Sequence, residues 1–276
     1  MKRDFAGANV MITGAASGLG RELAQVFYSI EGANLLLVDK NKRALKEVVR
    51  NLEALKTTRP QSVKSYPIDL SSEKNIRLLH DELRGVKIDI LINNAGVFYN
   101  GQFENMDLSD FEKVLNIDLL AAIRLSRFFL PNIEKSTHRT LVNISSLAGL
   151  IGAPGMCAYS TAKFALIGFS QALGQEMRGR IHVCAICPSF VKTNMGANAL
   201  GPRGSNALHE FIHKFGSNPS KAARMIVRAI KNRKALTLIN SEAFFFYYLN
   251  KFAPGISGAL INMAFQALKR RGIVAV

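Results

Sequence analysis

Asn9-Val10-Met11-Ile12-Thr13-Gly14-Ala15-Ala16-Ser17-Gly18-Leu19-Gly20 is the stretch whose reading decides the fold. Asn9 to Thr13 suits a short buried strand, three glycines follow, and a helical pattern runs on to about Ile30. A strand, a glycine turn and a helix in that order make a phosphate cradle. Glycines let the backbone approach a pyrophosphate, and the helix start offers free N–H groups and the positive end of its dipole. The spacing is Thr-Gly-x-x-x-Gly-x-Gly, not the dinucleotide fingerprint Gly-x-Gly-x-x-Gly. Taken alone, such a cluster arises easily by chance.

The flanking chain supplies the context. Leu35 to Val38 reads as a second buried strand and ends at Asp39. An acidic group about 20 residues past the glycines suits the adenosine ribose hydroxyls and repels a 2′-phosphate, which favours NAD over NADP. The alternative is an ordinary strand-end aspartate, and Lys40 and Arg43 could meet a phosphate. A charged helix over Lys42 to Leu55 leads to a strand at Val63 to Pro67, then Asp69-Leu70. A helix over Glu73 to Leu83 leads to a strand at Ile88 to Ile92, then Asn93-Asn94-Ala95-Gly96. Leu108 to Phe129 reads as one or two helices containing Asn116. Thr140 to Ser145 is a strand that runs into Ser145-Ser146, and Ile181 to Cys187 is a strand stopped by Pro188. Strands alternating with helices predict an α/β fold: one doubly wound parallel sheet (Rossmann-type) with helices on both faces. Its ligand belongs at the carboxyl ends of the strands. The glycine turn, Asp39, Asp69 and Asn93 all fall at such ends.

Ala158-Tyr159-Ser160-Thr161-Ala162-Lys163 carries the chemistry. Residues four apart share one face of a helix, so the Lys163 ammonium lies close to the Tyr159 phenol. A nearby cation favours the phenolate and lowers the tyrosine pKa from its ordinary value of about 10. A phenol tuned in this way can exchange a proton near neutral pH. Alone, a Tyr-x-x-x-Lys is a solvated pair and a Ser-Ser at a strand end is a cap.

Together these residues resemble the short-chain dehydrogenase/reductase family over about residues 7–240. The matching pieces are Thr13 to Gly20, Asn93 to Gly96, Asn116, Ser146, Tyr159 to Lys163 and Pro188 to Thr193. The resemblance implies Tyr159 as general acid/base, Lys163 as its tuner and nicotinamide-ribose ligand, and Ser146 orienting the substrate oxygen. It implies Asn116 holding a water that links Lys163 to solvent. It places cofactor contacts at Gly14, Ser17, Gly18, Leu19, Gly20, Asp39, Asp69, Leu70, Asn93, Ala95, Gly96, Tyr159, Lys163, Pro188, Val191 and Thr193. Within that set, Asp69 holds the adenine edge, Asn93 packs near the adenine ribose, and Val191 and Thr193 fix the carboxamide. One departure is Pro188-Ser189, where the family usually has Pro-Gly. It implies altered loop geometry near the nicotinamide without loss of a catalytic group. The implied activity is hydride transfer between NAD(H) and a secondary alcohol or ketone, by a homodimer or homotetramer.

Composition bounds the rest. The chain has 276 residues, 48% of them hydrophobic, enough for one large domain with a sizeable core. No boundary shows before about residue 194. The expected organisation is a domain over 1–240, with a substrate lid at about 194–217, and an apolar and basic extension over 241–276. Cys157, Cys184 and Cys187 are too few for a disulfide scaffold, which points to a reducing, cytoplasmic setting. Cys184 and Cys187 lie three apart on a strand and so point to opposite faces, as inert core residues. Lys2 and Arg3 precede no long apolar run, so no signal peptide is expected, and no segment reads as a membrane span.

The net charge is +16 at pH 7, and from Lys214 onward eleven basic residues face only Glu242. The plain reading is a solvated basic surface, and no nucleic-acid motif accompanies it, so no nucleic-acid partner is expected. His209-Glu210-Phe211-Ile212-His213 fits the zinc motif His-Glu-x-x-His, yet no third ligand stands nearby and it falls in the lid, so no metal is expected. Ala243 to Leu249 and the apolar stretch to Leu268, ending in Lys269-Arg270-Arg271, suit core or subunit packing, or peripheral contact with an anionic membrane. The apolar late chain hints at a hydrophobic substrate such as a lipid, retinoid or steroid-like alcohol. The rival functions are a non-catalytic dinucleotide-binding regulator on the same fold, and a basic membrane-surface or nucleic-acid binding protein.

Overall fold

The computed structural model describes residues 4–55, 60–201 and 205–270, with only the backbone described over 205–208. Lys2, Arg3 and Arg271 lie outside these residues. Seven parallel strands form one sheet in the order β3-β2-β1-β4-β5-β6-β7. They are β1 (Asn9–Thr13), β2 (Asn34–Asp39), β3 (Val63–Pro67), β4 (Ile90–Asn93), β5 (Thr140–Ile144), β6 (His182–Pro188) and β7 (Leu236–Ile239). The helices between them are α1 (Gly18–Ser29), α2 (Lys42–Glu53), α3 (Glu73–Glu82), α4 (Leu108–Leu115), α5 (Ala121–Glu134), α6 (Cys157–Glu176), α7 (Ser205–Phe215) and α8 (Pro219–Lys231). The doubly wound expectation therefore holds.

Strand alternation builds two cores. Val10, Ile12, Leu35, Leu37, Ile90, Ile92, Val142 and Ile144 point to one face, under α1, α2 and α8. Met11, Leu36, Val38, Leu91, Leu141 and Val183 point to the other, under α3 and α5. Each such side chain, fully buried, contributes about 1.5–3 kcal/mol. Cys184 joins the first core, and Cys187 packs with Ala185 and Leu238 on the opposite side. Burial pushes both thiols up to about 12, so neither offers a thiolate at neutral pH.

Caps fix where helices begin. Asn41 accepts from the Ala44 amide at 3.0 Å, and Asn218 accepts from Ser220 at 2.9 Å just ahead of Pro219. Between α4 and α5 the chain makes a π-helical turn over Asn116–Leu120, closed by the Ala121 amide donating to the Asn116 carbonyl. Sequence periodicity gives one or two helices here and no hint of the extra residue. The chain runs β1 to β3 outward, then returns to place β4 beside β1, which opens a crevice at their carboxyl ends.

After β7, α9 (Ser241–Phe252) and α10 (Pro254–Arg270) form a helical pair. Ala243 and Ser257 are their buried residues, while Phe245, Phe252 and Met263 are exposed. No described helix is long and apolar enough to cross a membrane.

Candidate active site

The glycine turn is built by backbone need. Gly14 and Gly18 have φ of +65° and +52°, a region that disfavours side chains. A Cβ on Gly20 would strike the Gly14 carbonyl oxygen and lie 2.7 Å from Asn94 Nδ2. Asn94 Nδ2 donates to the Thr13 carbonyl at 2.9 Å, and Thr13 Oγ1 accepts from the Asn94 and Ala95 amides at 2.9 and 3.0 Å. The end of β4 is thus stitched to the end of β1. Ser17 caps α1 without using its hydroxyl, so that group and the amides of the first helical turn can meet a phosphate. The glycines let the turn fold tightly against the end of β4, which leaves the start of α1 with free amides of the kind that bind phosphate.

The other expected cofactor residues line the same edge. Asp39 Oδ2 accepts from the Ala16 amide at 3.0 Å, and Oδ1 accepts from Asn41 at 2.9 Å, so the carboxylate is fixed beside the glycine turn. The Ile68 amide donates to the Asp39 carbonyl at 3.0 Å and ties in the end of β3. Asp69 is exposed there, and the Ser71 amide, donating at 2.9 Å, holds its carboxyl below the usual range; Leu70 is buried beside it. Pro188 ends β6, and the loop through Val191 and Thr193 returns to the glycines: a Cβ on Gly18 would sit 3.3 Å from the Thr193 side chain. Ser189 has no positive φ, and its amide donates to the Ile239 carbonyl at 3.3 Å, so serine is accommodated where glycine was expected. Asn93 is placed differently. Its side-chain amide is buried and donates to Asn143 Oδ1 at 2.8 Å and to Ser126 Oγ at 3.2 Å. Those bonds tie its side-chain amide to α5 and β5.

Tyr159 and Lys163 lie one turn apart on α6, with Lys163 Nζ 5.4 Å from the centre of the Tyr159 ring. The Ser146 side chain lies close enough to Tyr159 to pull its phenol pKa down, and Ser146 Oγ accepts from the Ala148 amide at 3.1 Å. Ser145 points the other way and donates to the Lys163 carbonyl at 2.9 Å. A Cβ on Gly149 would fall 2.5 Å from Ser145 Oγ and 2.7 Å from the Lys163 carbonyl oxygen, so glycine alone lets this turn lie against α6. Phe98 packs edge-on to Tyr159, with ring centres 5.0 Å apart. Ala148, Met156, Ala199 and Ile212 complete an apolar surround.

The polar group that the π-turn aims at Lys163 is Asp118, not Asn116. Asp118 Oδ2 lies 3.0 Å from Lys163 Nζ, and the Asp118 side chain has no exposed surface. Asp118 Oδ1 accepts from the Val97 amide at 2.7 Å. A Cβ on Gly96 would come within 2.8 Å of Asp118 Oδ2, so Gly96 makes room for this carboxylate. Lys163 Nζ also donates to the Ile144 carbonyl at 3.1 Å. The Asn116 carbonyl is taken by Ala121 in the π-turn, and its side chain is only partly buried. A lone aspartate in the apolar run Ile117-Asp118-Leu119-Leu120-Ala121-Ala122 is the sequence signal for a buried pair.

Electrostatics reverse one expectation. Burial pushes the Tyr159 phenol above its ordinary value; Lys163 pulls it down, and Asp118 pushes it up again. The net direction is upward, against the lowering expected from Lys163 alone. Burial opposes the charge on Lys163, but Asp118 and Tyr159 outweigh it and raise the ammonium above its ordinary value. Burial raises the Asp118 carboxyl, and Lys163 offsets part of that.

On α7 the His209 and His213 rings lie 4.2 Å apart, and no group of three metal-binding side chains occurs among the described residues.

Residues 8–202 match the family model described as short chain dehydrogenase. The chain is 33% identical over 271 residues to dehydrogenase/reductase SDR family member 7B of Xenopus tropicalis, covering 96% of this chain and 87% of that protein. It is 32% identical over 267 residues to human epidermal retinol dehydrogenase 2, covering 94% of this chain and 82% of that one. Among solved structures, a short chain dehydrogenase/reductase from Burkholderia phymatum in complex with NAD superposes with a TM-score of 0.82 at 24% identity. That alignment covers 92% of this chain and 96% of the other.

Proposed function

The chain belongs to the short chain dehydrogenase/reductase family, whose members are nicotinamide-dependent oxidoreductases, and from that premise we propose that it moves hydride between NAD(H) and an apolar secondary alcohol or ketone. The observation that carries the reading is the Ser146–Tyr159–Lys163 set, gathered at the carboxyl edge of the sheet beside the glycine cradle. The bound nicotinamide supplies or accepts the hydride. Ser146 holds the substrate oxygen. Tyr159 gives that oxygen a proton as a carbonyl is reduced, and takes one as an alcohol is oxidised. Lys163 places a positive charge beneath the phenol. Asp39 supports NAD, because its fixed carboxylate beside the glycine turn favours ribose hydroxyls and opposes a 2′-phosphate. Phe98, Met156 and Ile212 around Tyr159 support an apolar substrate, with α7 as its cover.

The test is a panel of secondary alcohols and ketones, each offered with NAD(H) and with NADP(H), followed by absorbance of the reduced nicotinamide. Turnover is expected with larger apolar substrates and with higher kcat/KM for NAD(H). Tight NAD binding without turnover in either direction would point instead to a dinucleotide-binding regulator.

The C-terminal helices favour a second role at an anionic lipid surface. Phe244, Tyr248 and Phe252 recur at helical spacing on α9, and Ile256, Leu260 and Met263 on α10; all are exposed, Phe252 by 76%. Lys251, Lys269 and Arg270 flank them, and Glu242 is the one acidic residue of the pair. A two-fold contact between copies of this face would bring those cations together without acidic partners. A bilayer with anionic headgroups takes both the apolar stripe and the charge. Flotation with phosphatidylserine vesicles is expected to carry the protein upward. Protein left wholly in the soluble fraction sinks this role and leaves the enzyme reading intact.

A further inference from the structure

Asp118 does something the Tyr–Lys–Ser set does not require. Its side chain has no exposed surface, and a buried carboxylate is at best neutral for stability when paired. The fold nevertheless makes room for it twice. The π-turn rotates it inward, and Gly96 leaves out the Cβ that would meet Oδ2 at 2.8 Å. Such turns often mark functional positions in helices. Lys163 has one neutral acceptor in the Ile144 carbonyl at 3.1 Å, which takes one of its three donors and brings no charge. What Asp118 adds is negative charge, 3.0 Å from the ammonium.

We propose that Asp118 is a positioning residue that acts through Lys163: it holds the ammonium in place and cancels part of its field, so that Tyr159 is poised as a proton donor to a carbonyl. The inference rests on the reading of Tyr159 as the proton-exchanging group. The charged and titratable groups facing the pair come from each neighbouring element. They are Lys163 and Tyr159 on α6, the Val97 amide after β4, the Ser146 hydroxyl after β5 and the Cys187 thiol on β6. Cys187 stays neutral, its thiol pushed up to about 12. Burial and Asp118 raise the Tyr159 phenol, with a smaller push from Cys187, and Lys163 opposes them more strongly than Ser146 does. Replacing the carboxylate by an uncharged amide therefore releases the ammonium's pull on the phenol.

The experiment is a spectroscopic titration, which needs no turnover. The chain has six tyrosines and no tryptophan. Phenolate absorbance of the wild type minus that of Tyr159→Phe isolates one phenol, and Asp118→Asn minus Asp118→Asn/Tyr159→Phe isolates it in the variant. The Tyr159 midpoint is expected to fall by about one pH unit or more in Asp118→Asn, as removal of a nearby like charge requires. In kinetics, the alkaline-rising limb of alcohol oxidation moves by the same amount in the same direction. An unchanged or raised midpoint overturns the proposal. A protein with a shifted phenol but no turnover on any substrate fails the enzyme reading alone. Should Asp118→Asn not fold by circular dichroism, Asp118→Ser, which keeps an acceptor for the Val97 amide without the charge, is read by the same difference.

Discussion

Tyr159→Phe is expected to lower kcat by about 10²–10⁴-fold in both directions, the range for removing a general acid/base. The substitution deletes one hydroxyl and nothing else. The ring is 8% exposed and held edge-on by Phe98, so phenylalanine keeps the packing. Ser146 keeps its bond from the Ala148 amide, and Lys163 keeps Asp118 and the Ile144 carbonyl. The framework therefore survives, and NAD affinity, measured by calorimetry, should change little because the glycine cradle is untouched. A substrate oxygen would still meet Ser146 but find no proton donor. KM should accordingly move much less than kcat, since the lost interaction belongs to the transition state. A variant retaining activity within tenfold of the wild type would place the proton transfer on another group.

The fold was legible because its signals are local. The glycine turn is forced by backbone contacts between Gly14 and Gly20, and strand alternation sorts Val10 and Ile12 from Met11 without reference to anything distant. Tyr159 and Lys163 were legible for the same reason, since four residues on one helix fix a shared face. Asp118 was not. Helical periodicity runs at 3.6 residues per turn, and the π-turn inserts an extra residue between α4 and α5. Beyond it, a face counted from Leu108 is rotated, and Asp118 is the side chain brought to Lys163. The Tyr159 shift was misread for a related reason: its sign depends on burial and on Asp118, reached across more than 40 positions of sequence. Asn93 shows the same limit, because its partners Ser126 and Asn143 come from α5 and β5. Spacing ranks residues by where they fall on one element, and it is silent on which neighbour takes the side chain.

The same pairing makes Lys163→Met a stability experiment. Methionine fills most of the volume but leaves Asp118 with the Val97 amide as its one remaining hydrogen-bond partner among the described residues. Breaking one side of a buried pair costs about 3–5 kcal/mol. At about 2–4 °C per kcal/mol for a domain of this size, Tm falls by roughly 6–20 °C. The loss depends on pH, with a definite sign. Burial already raises the folded Asp118 pKa above its ordinary value, and removal of the ammonium raises it further. A group whose folded pKa lies above the unfolded one contributes stability below the unfolded value, near 3.8, and loses it as pH rises through the folded value. Lys163→Met should therefore approach wild-type stability near pH 4 and fall away toward neutral pH. In the wild type the Asp118 contribution has the same sign but is offset in part by Lys163, and Lys163, raised in the fold, keeps its own contribution until strongly alkaline pH. Adding Asp118→Asn removes the stranded charge, so the double variant should regain most of the lost Tm while staying inactive. The coupling between the two sites, taken as a double-mutant cycle, then separates the ion pair from the proton chemistry. Equal melting of wild type and Lys163→Met at pH 8 would mean that the carboxylate is not charged beside Lys163, and the account of this site given above would fall with it.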